Sequence, residues 1–199
     1  MDARLLGENL LDEVKKSTAR ISELVKAVKV YSYIDQAPSQ EIDVHEGIES
    51  TLTILNHKIK GGGGEIDVIR DYDTNLPHIT AYGSELNQVW TNIIDNAIDA
   101  VKGNGNKNSN IWLRTRREGN YIVVDIADDG PGIPQNVQSR IFEPFFTTKS
   151  LGKGTGLGLN ISYRIVVEMH HGDISFESTP GATHFYVRLP ISFNPDATK

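Results

Sequence analysis

Gly152-Lys153-Gly154-Thr155-Gly156-Leu157-Gly158-Leu159 is the stretch on which the reading of this 199-residue chain turns. Its glycines alternate, and the amphipathic segment Asn160 to His170 follows directly. Such a loop lets backbone N–H groups approach an anion with no Cβ in the way. A helix starting just after it points its positive dipole end at the same place. The pattern suits phosphate binding, and it also suits a plain flexible loop. Three segments upstream, in a particular order, give it weight.

The first is the helix predicted over Ser84 to Val101. Asn92, Asn96 and Asp99 fall at i, i+4 and i+7 and share one face. Val89, Ile93, Ala97 and Ala100 lie on a neighbouring face that can pack on a sheet. Amide oxygens suit a hard cation such as Mg²⁺ shared with phosphates; a polar outer face is the other reading. The second is Asp128-Asp129-Gly130-Pro131-Gly132-Ile133-Pro134, after the apolar strand Tyr121 to Ile126. A strand-end carboxylate before a rigid turn can accept a hydrogen bond from an exocyclic amine such as that of adenine. Taken alone, these residues also describe an ordinary turn. The third is Arg140-Ile141-Phe142-Glu143-Pro144-Phe145-Phe146-Thr147-Thr148-Lys149, in which aromatics adjoin the glycine loop and Lys149 can reach a phosphate. Core packing is expected of Phe142 and Phe145.

Working outward, the elements alternate in period. Val44 to Lys60 predicts a helix with Ile48, Leu52 and Leu55 on one face and Asp43 as its cap. Gly61 to Gly64 is a flexible break, native or engineered. Ile66 to Arg70 alternates as a strand. Ile111 to Thr115 and Tyr121 to Ile126 form a hairpin across Glu118-Gly119-Asn120, and Asp173 to Glu177 pairs with Thr183 to Leu189 around Pro180-Gly181. Helices mixed with hairpins predict an α/β (α+β) fold with a mixed sheet and helices on one face.

The first 37 residues differ in texture. Leu10, Val14, Ser17, Ile21, Leu24, Val28 and Tyr31 step by alternating fours and threes, the seam of a helix that packs on another. Pro38 ends it. The seam favours self-association over folding back onto the following domain. The expected division is therefore a long helix over 1–37, a domain over 38–192 and a tail over 193–199. With a net charge of −6, a nucleic-acid surface is not expected. The chain has no cysteine, which leaves no disulfide framework and no thiolate site. No apolar run reaches the roughly 18 residues of a membrane span, so a cytoplasmic location is expected.

In this order the four segments resemble the N, G1, F and G2 boxes of the ATP-binding fold shared by sensor histidine kinases, type II topoisomerases, Hsp90 chaperones and MutL proteins. The resemblance covers roughly Val44 to Pro190. It implies a two-layer α/β sandwich that binds ATP and Mg²⁺, with a lid from about Phe146 to Gly154. By position it implies that Asp128 holds the adenine amine, Asn96 and Asn92 ligand Mg²⁺, Gly130 and Gly132 shape the base pocket, and Gly154, Gly156 and Gly158 lie beside the phosphates, with Asn92 and Lys149 as the expected catalytic residues. Asp99, Ile133, Phe142, Thr148, Thr155, Leu157 and Leu159 fall within the same boxes and are expected to line the site. Lys149 and Lys153 are candidates for neutralising phosphate charge.

Position 92 selects a branch. Hydrolytic members carry a water-activating glutamate four residues before the magnesium asparagine. Here that residue is Asn92, and an amide takes no proton at neutral pH. The histidine-kinase branch follows, with γ-phosphate transfer to an imidazole. The run Phe142 to Lys149 resembles kinases of the nitrogen-regulation type, and the first helix resembles the second helix of a kinase dimerisation hairpin, implying a homodimer. Asp99 departs from many kinases, which carry a basic residue there. The acceptor histidine is expected on a segment before residue 1, because none of the chain's histidines has the expected setting. His45-Glu46 lies after Pro38 with no proline following, and His170-His171 closes a helix where imidazolium would suit the C-terminal dipole. Expected partners are an acceptor helix or a response-regulator receiver domain. A slow ATPase and a non-catalytic nucleotide-binding dimerisation module are the alternatives.

Overall fold

The computed structural model describes residues 39–61, 65–104, 108–149 and 154–192, together with Val14 and Thr18. The expected helix over 1–37 with its dimer seam, most of the glycine break, Lys153 and the tail lie outside these residues.

The order of elements is β1 (Gln40–Ile42), α1 (Val44–Lys60), β2 (Glu65–Asp71), β3 (Ile79–Ala81), α2 (Gly83–Gly103), β4 (Asn108–Glu118), β5 (Tyr121–Asp128), a single turn α3 (Gln135–Gln138), α4 (Gly158–Tyr163), β6 (Asp173–Thr179) and β7 (Ala182–Pro190). Asp43 caps α1 as its sequence position predicts, its carboxylate accepting from the His45 N–H at 2.8 Å. Past Tyr163 the α4 coil widens into a π-helical segment, Arg164–Met169.

One five-stranded sheet runs in the order β2-β4-β5-β7-β6. The β2–β4 pair is parallel and the others antiparallel. The parallel pair exists because α2 intervenes between its strands and returns the chain to the same end. The short β1–β3 ladder is separate.

Alternation along the strands turns Ile111, Leu113, Ile122, Val124, Ile126, Val187 and Leu189 to one face, where they bury with Ile48, Leu52, Trp90, Ile94 and Ile98 of α1 and α2 and with Ile165. The result is the two-layer sandwich with a mixed sheet. Among the described residues no helix is long and apolar enough to cross a membrane.

Two expectations need correction. Phe145 does not pack in the core. It is 67% exposed with a φ of 66°, because the following turn carries Phe146 inward, beneath the Arg140 guanidinium at 4.4 Å. His170 is not a charged helix cap. It is buried, 1% exposed, and burial lowers its pKa. Its Nδ1 lies 2.7 Å from the Ile165 carbonyl, while Nε2 accepts the Tyr82 N–H at 3.0 Å. That pair of partners requires the neutral ring with its proton on Nδ1.

Candidate functional site

The candidate residues gather along one face of α2. Asn92, Asn96, Asp99 and Ala100 follow the helical repeat, and between them they meet three different loops. At one end, Asn92 Nδ2 donates to the Gly158 carbonyl at 2.9 Å and to Ser162 Oγ at 3.2 Å, holding the start of α4. In the middle, the Lys149 ammonium lies 3.0 Å from Asn96 Oδ1 and 2.5 Å from Asp99 Oδ2. At the other end, Gly130 packs so closely that a Cβ there would stand 3.0 Å from that of Ala100 and 2.5 Å from Asp128 Oδ1.

Asp128 ends β5 beside this face and is 5% exposed. Its Oδ1 accepts the Gly130 N–H at 2.9 Å. Burial pushes its pKa up to about 6, against the partial opposition of that hydrogen bond; the adjoining Asp129 carboxylate adds to the rise. Asp129 turns the other way, its Oδ2 accepting from the Asn110 backbone and side chain, both at 2.9 Å. One carboxylate anchors the turn, and its neighbour is left at that face.

Gly132 has a φ of 80°, and a Cβ would strike the Thr179 carbonyl oxygen. Only glycine lets the turn lie this close to the end of β6. The Ile133 N–H then donates to Ser178 Oγ at 2.7 Å. Across the loops, Gly156 has a φ of 70°, and a Cβ would strike the Phe145 carbonyl carbon. Gly154 packs against Thr147 and the Lys149 stem. The glycine run therefore seats on the aromatic run.

The structure thus brings together Asn92, Asn96, Asp99, Asp128, Gly130, Lys149, Gly154 and Gly158 around α2 and the loops it meets. Others serve as supports. Leu157 is buried, Leu159 packs against the core, and Phe142 lies tilted against Tyr163 and edge-on to Phe176, with ring centroids 5.8 and 6.1 Å away. Thr148 is exposed and Thr155 half-buried.

Thr183 and Ser178 were not found from the sequence. Thr183 pairs in register with Asp128, is 4% exposed, and lies 3.0 Å from Ser178 through their hydroxyls. A signal was present: Thr183 is a polar residue on the inward phase of a strand that otherwise turns Phe185, Val187 and Leu189 inward.

A buried carboxylate at one end of this face, a lysine ammonium in the middle and glycines at the other end fit a nucleotide-binding α/β sandwich. Residues 82–192 match the family described as histidine kinase-, DNA gyrase B-, and HSP90-like ATPase, and the chain belongs to that family. It is 33% identical to the sensory histidine kinase/phosphatase NtrB of Rhodobacter capsulatus, over 94% of this chain and 54% of NtrB, so it spans about half of that relative. The catalytic domain of the histidine kinase ThkA superposes with a TM-score of 0.68 at 29% identity, covering 77% of this chain and 96% of that one. A structure of ThkA with the response regulator TrrA has the same fold, with a TM-score of 0.75 at 24% identity over 99% of this chain and 54% of that one. The chain therefore carries an ATPase-type nucleotide-binding catalytic domain of the histidine-kinase kind.

Proposed function

We propose that the chain binds Mg–ATP and passes the γ-phosphate to a histidine it does not itself carry, as the catalytic part of a two-component sensor kinase. The convergence of distant segments on the Asn92–Ala100 face of α2 carries this reading. Asp128, with Oδ1 occupied by the Gly130 N–H, keeps its second oxygen to accept from the adenine amine. Gly154, Gly156 and Gly158 leave backbone N–H groups open to phosphate oxygens.

The donor set suits a hard divalent ion. Asn96 Oδ1 and Asp99 Oδ2 already converge on one cation, the Lys149 ammonium. Among the described residues no cluster of three or more His, Cys, Asp or Glu side chains could cage a metal by itself. Asn96, with Asn92 nearby, would hold Mg²⁺ only together with phosphate oxygens. When bound, the ion screens phosphate charge and polarises the transferred group.

Asn92 bears on the alternatives. Its amide is engaged with Gly158 and Ser162, so the position offers no base to activate water. That favours transfer over steady hydrolysis. NtrB is named as a sensory histidine kinase, and ThkA is solved with a response regulator. Both support an acceptor helix or a receiver domain as partner; the fours-and-threes seam in the sequence of residues 1–37 is what supports a homodimer.

The test mixes this chain and ATP with a separate fragment that bears an acceptor histidine helix. Acid-labile, base-stable phosphate on that fragment, lost in Asp128→Ala, is the expected result. Mg²⁺-dependent ATP binding without any transfer would leave the non-catalytic nucleotide-binding module as the correct reading.

A further inference from the structure

Lys149 Nζ lies 3.0 Å from Asn96 Oδ1 and 2.5 Å from Asp99 Oδ2. Those two residues stand about one turn apart on one face of α2, and they supply the oxygens that a divalent ion would seek there. More than the reach of a long side chain brings the lysine to them. Its backbone N–H donates to Thr147 Oγ1 at 3.1 Å. Its stem runs past Gly154, where a Cβ would stand 3.2 Å from the lysine Cδ and 2.9 Å from Thr147 Oγ1. The bare backbone of Gly154 leaves the stem its path to α2.

An ammonium has three donors and no acceptor. It can meet Asn96 only through the amide oxygen, so it fixes which end of that amide faces the site. A hard divalent ion needs the same end. Ammonium and ion thus compete for the same two oxygens in the same orientation, and their like charges exclude one another at such a separation. The contact is weak enough to be exchanged. With the two side chains 34% and 37% exposed, an ion pair of this kind shifts an equilibrium by about fivefold at most. A triphosphate brings several negative charges at once and offers the lysine a stronger partner. Asp99 also gains a reason. It is a carboxylate where many kinases carry a base, and here the positive charge arrives at that place from Lys149 instead.

We propose that the Lys149 ammonium is a tethered stand-in for the divalent ion. Without nucleotide it fills the place between Asn96 and Asp99, keeps the Asn96 oxygen turned toward that place, and hinders the metal. A triphosphate draws it off, so that metal and nucleotide enter together. The inference rests on the nucleotide reading above and adds to it an exchange of one cation for another.

Titration of the nucleotide-free chain with Mn²⁺, an EPR-visible substitute for Mg²⁺, tests this in about 0.15 M salt. Lys149→Met is expected to bind Mn²⁺ about fivefold more tightly than the unsubstituted chain. Its affinity for triphosphate should move the opposite way, whereas a merely structural ion pair would lower both. Arg140→Gln removes the same charge from a guanidinium that pairs with Glu143, and it should leave Mn²⁺ binding within about twofold under this screening. Adding Asp99→Asn to Lys149→Met should abolish the gain, which places the ion on α2. Unchanged Mn²⁺ binding in Lys149→Met, an equal gain in Arg140→Gln, or a gain that survives Asp99→Asn would each overturn the stand-in role while leaving the nucleotide reading intact. Failure of the unsubstituted chain to bind ATP in Mg²⁺ buffer would overturn that reading, and the handover of Lys149 to phosphate with it.

Discussion

Replacing Asp128 by asparagine should make the domain more stable at neutral pH while destroying nucleotide binding. The carboxylate is 5% exposed, and its pKa stands at about 6 against an ordinary 3.8. A raised pKa in the folded state means that folding takes up a proton between these values. The penalty is therefore absent below the unfolded pKa, grows as pH rises through the window, and is complete above about 6. At about 1.4 kcal/mol per pH unit the full penalty is about 3 kcal/mol, and relaxation around the site lowers the measured share to about 1–3 kcal/mol. Asparagine has the same shape and does not ionise. Its oxygen can keep the Gly130 N–H, which leaves its NH₂ group facing the adenine amine, donor against donor.

The assay is paired urea unfolding of the original chain and Asp128→Asn at pH 7.5 and pH 4. Comparing the two pH values cancels any pH-independent effect of the substitution. The variant should gain about 1–3 kcal/mol more at the higher pH, or about 2–4 °C in Tm for each kcal/mol. A gain equal at both pH values, or larger at pH 4, would refute the idea that a desolvated charge is held ready in the site.

Lys149→Met should reduce triphosphate affinity about tenfold, a loss of about 1.4 kcal/mol, by leaving Asp99 facing the phosphates uncompensated. It should change stability by less than about 1 kcal/mol, since the pair is partly exposed; competition binding and thermal melts measure the two effects. His170→Gln should lower stability at pH 7.5 by about 1–3 kcal/mol through imperfect pairing of the Tyr82 N–H. It should also flatten the acid limb, because a histidine whose folded pKa is depressed stabilises above 6.5 and loses that contribution as pH falls; denaturant midpoints from pH 7.5 to 5 are the readout.

Local signals were the legible ones. The Asp43 cap and the apolar stripe of Val44–Lys60 gave α1 at its observed limits, because capping and periodicity act within a turn or two of chain. The spacing of Asn92, Asn96 and Asp99 likewise announced a shared face. What each of them meets was not legible: Lys149 arrives from a loop some fifty positions on. Strand order was hidden for the same reason, since the parallel β2–β4 pairing depends on packing across α2. Phe145 misled because hydrophobicity gives the tendency to bury but not the backbone turn that opposes it. Ser178 escaped notice because a lone serine on a strand carries no periodic signature; its importance lies in a 2.7 Å contact with a distant amide.

The seating of Gly156 on the Phe145 carbonyl also has a practical consequence. It holds two points of the chain side by side, so the stretch of sequence between them is a closed loop whose ends are fixed. Lengthening such a closed excursion costs little, because loop entropy grows only with the logarithm of its length. A tag or reporter spliced between those anchor points should therefore leave the sheet and its helices undisturbed. The same addition at Gly130–Ile133, where the Gly130 N–H and both backbone groups of Ile133 are held by side chains, has no such freedom.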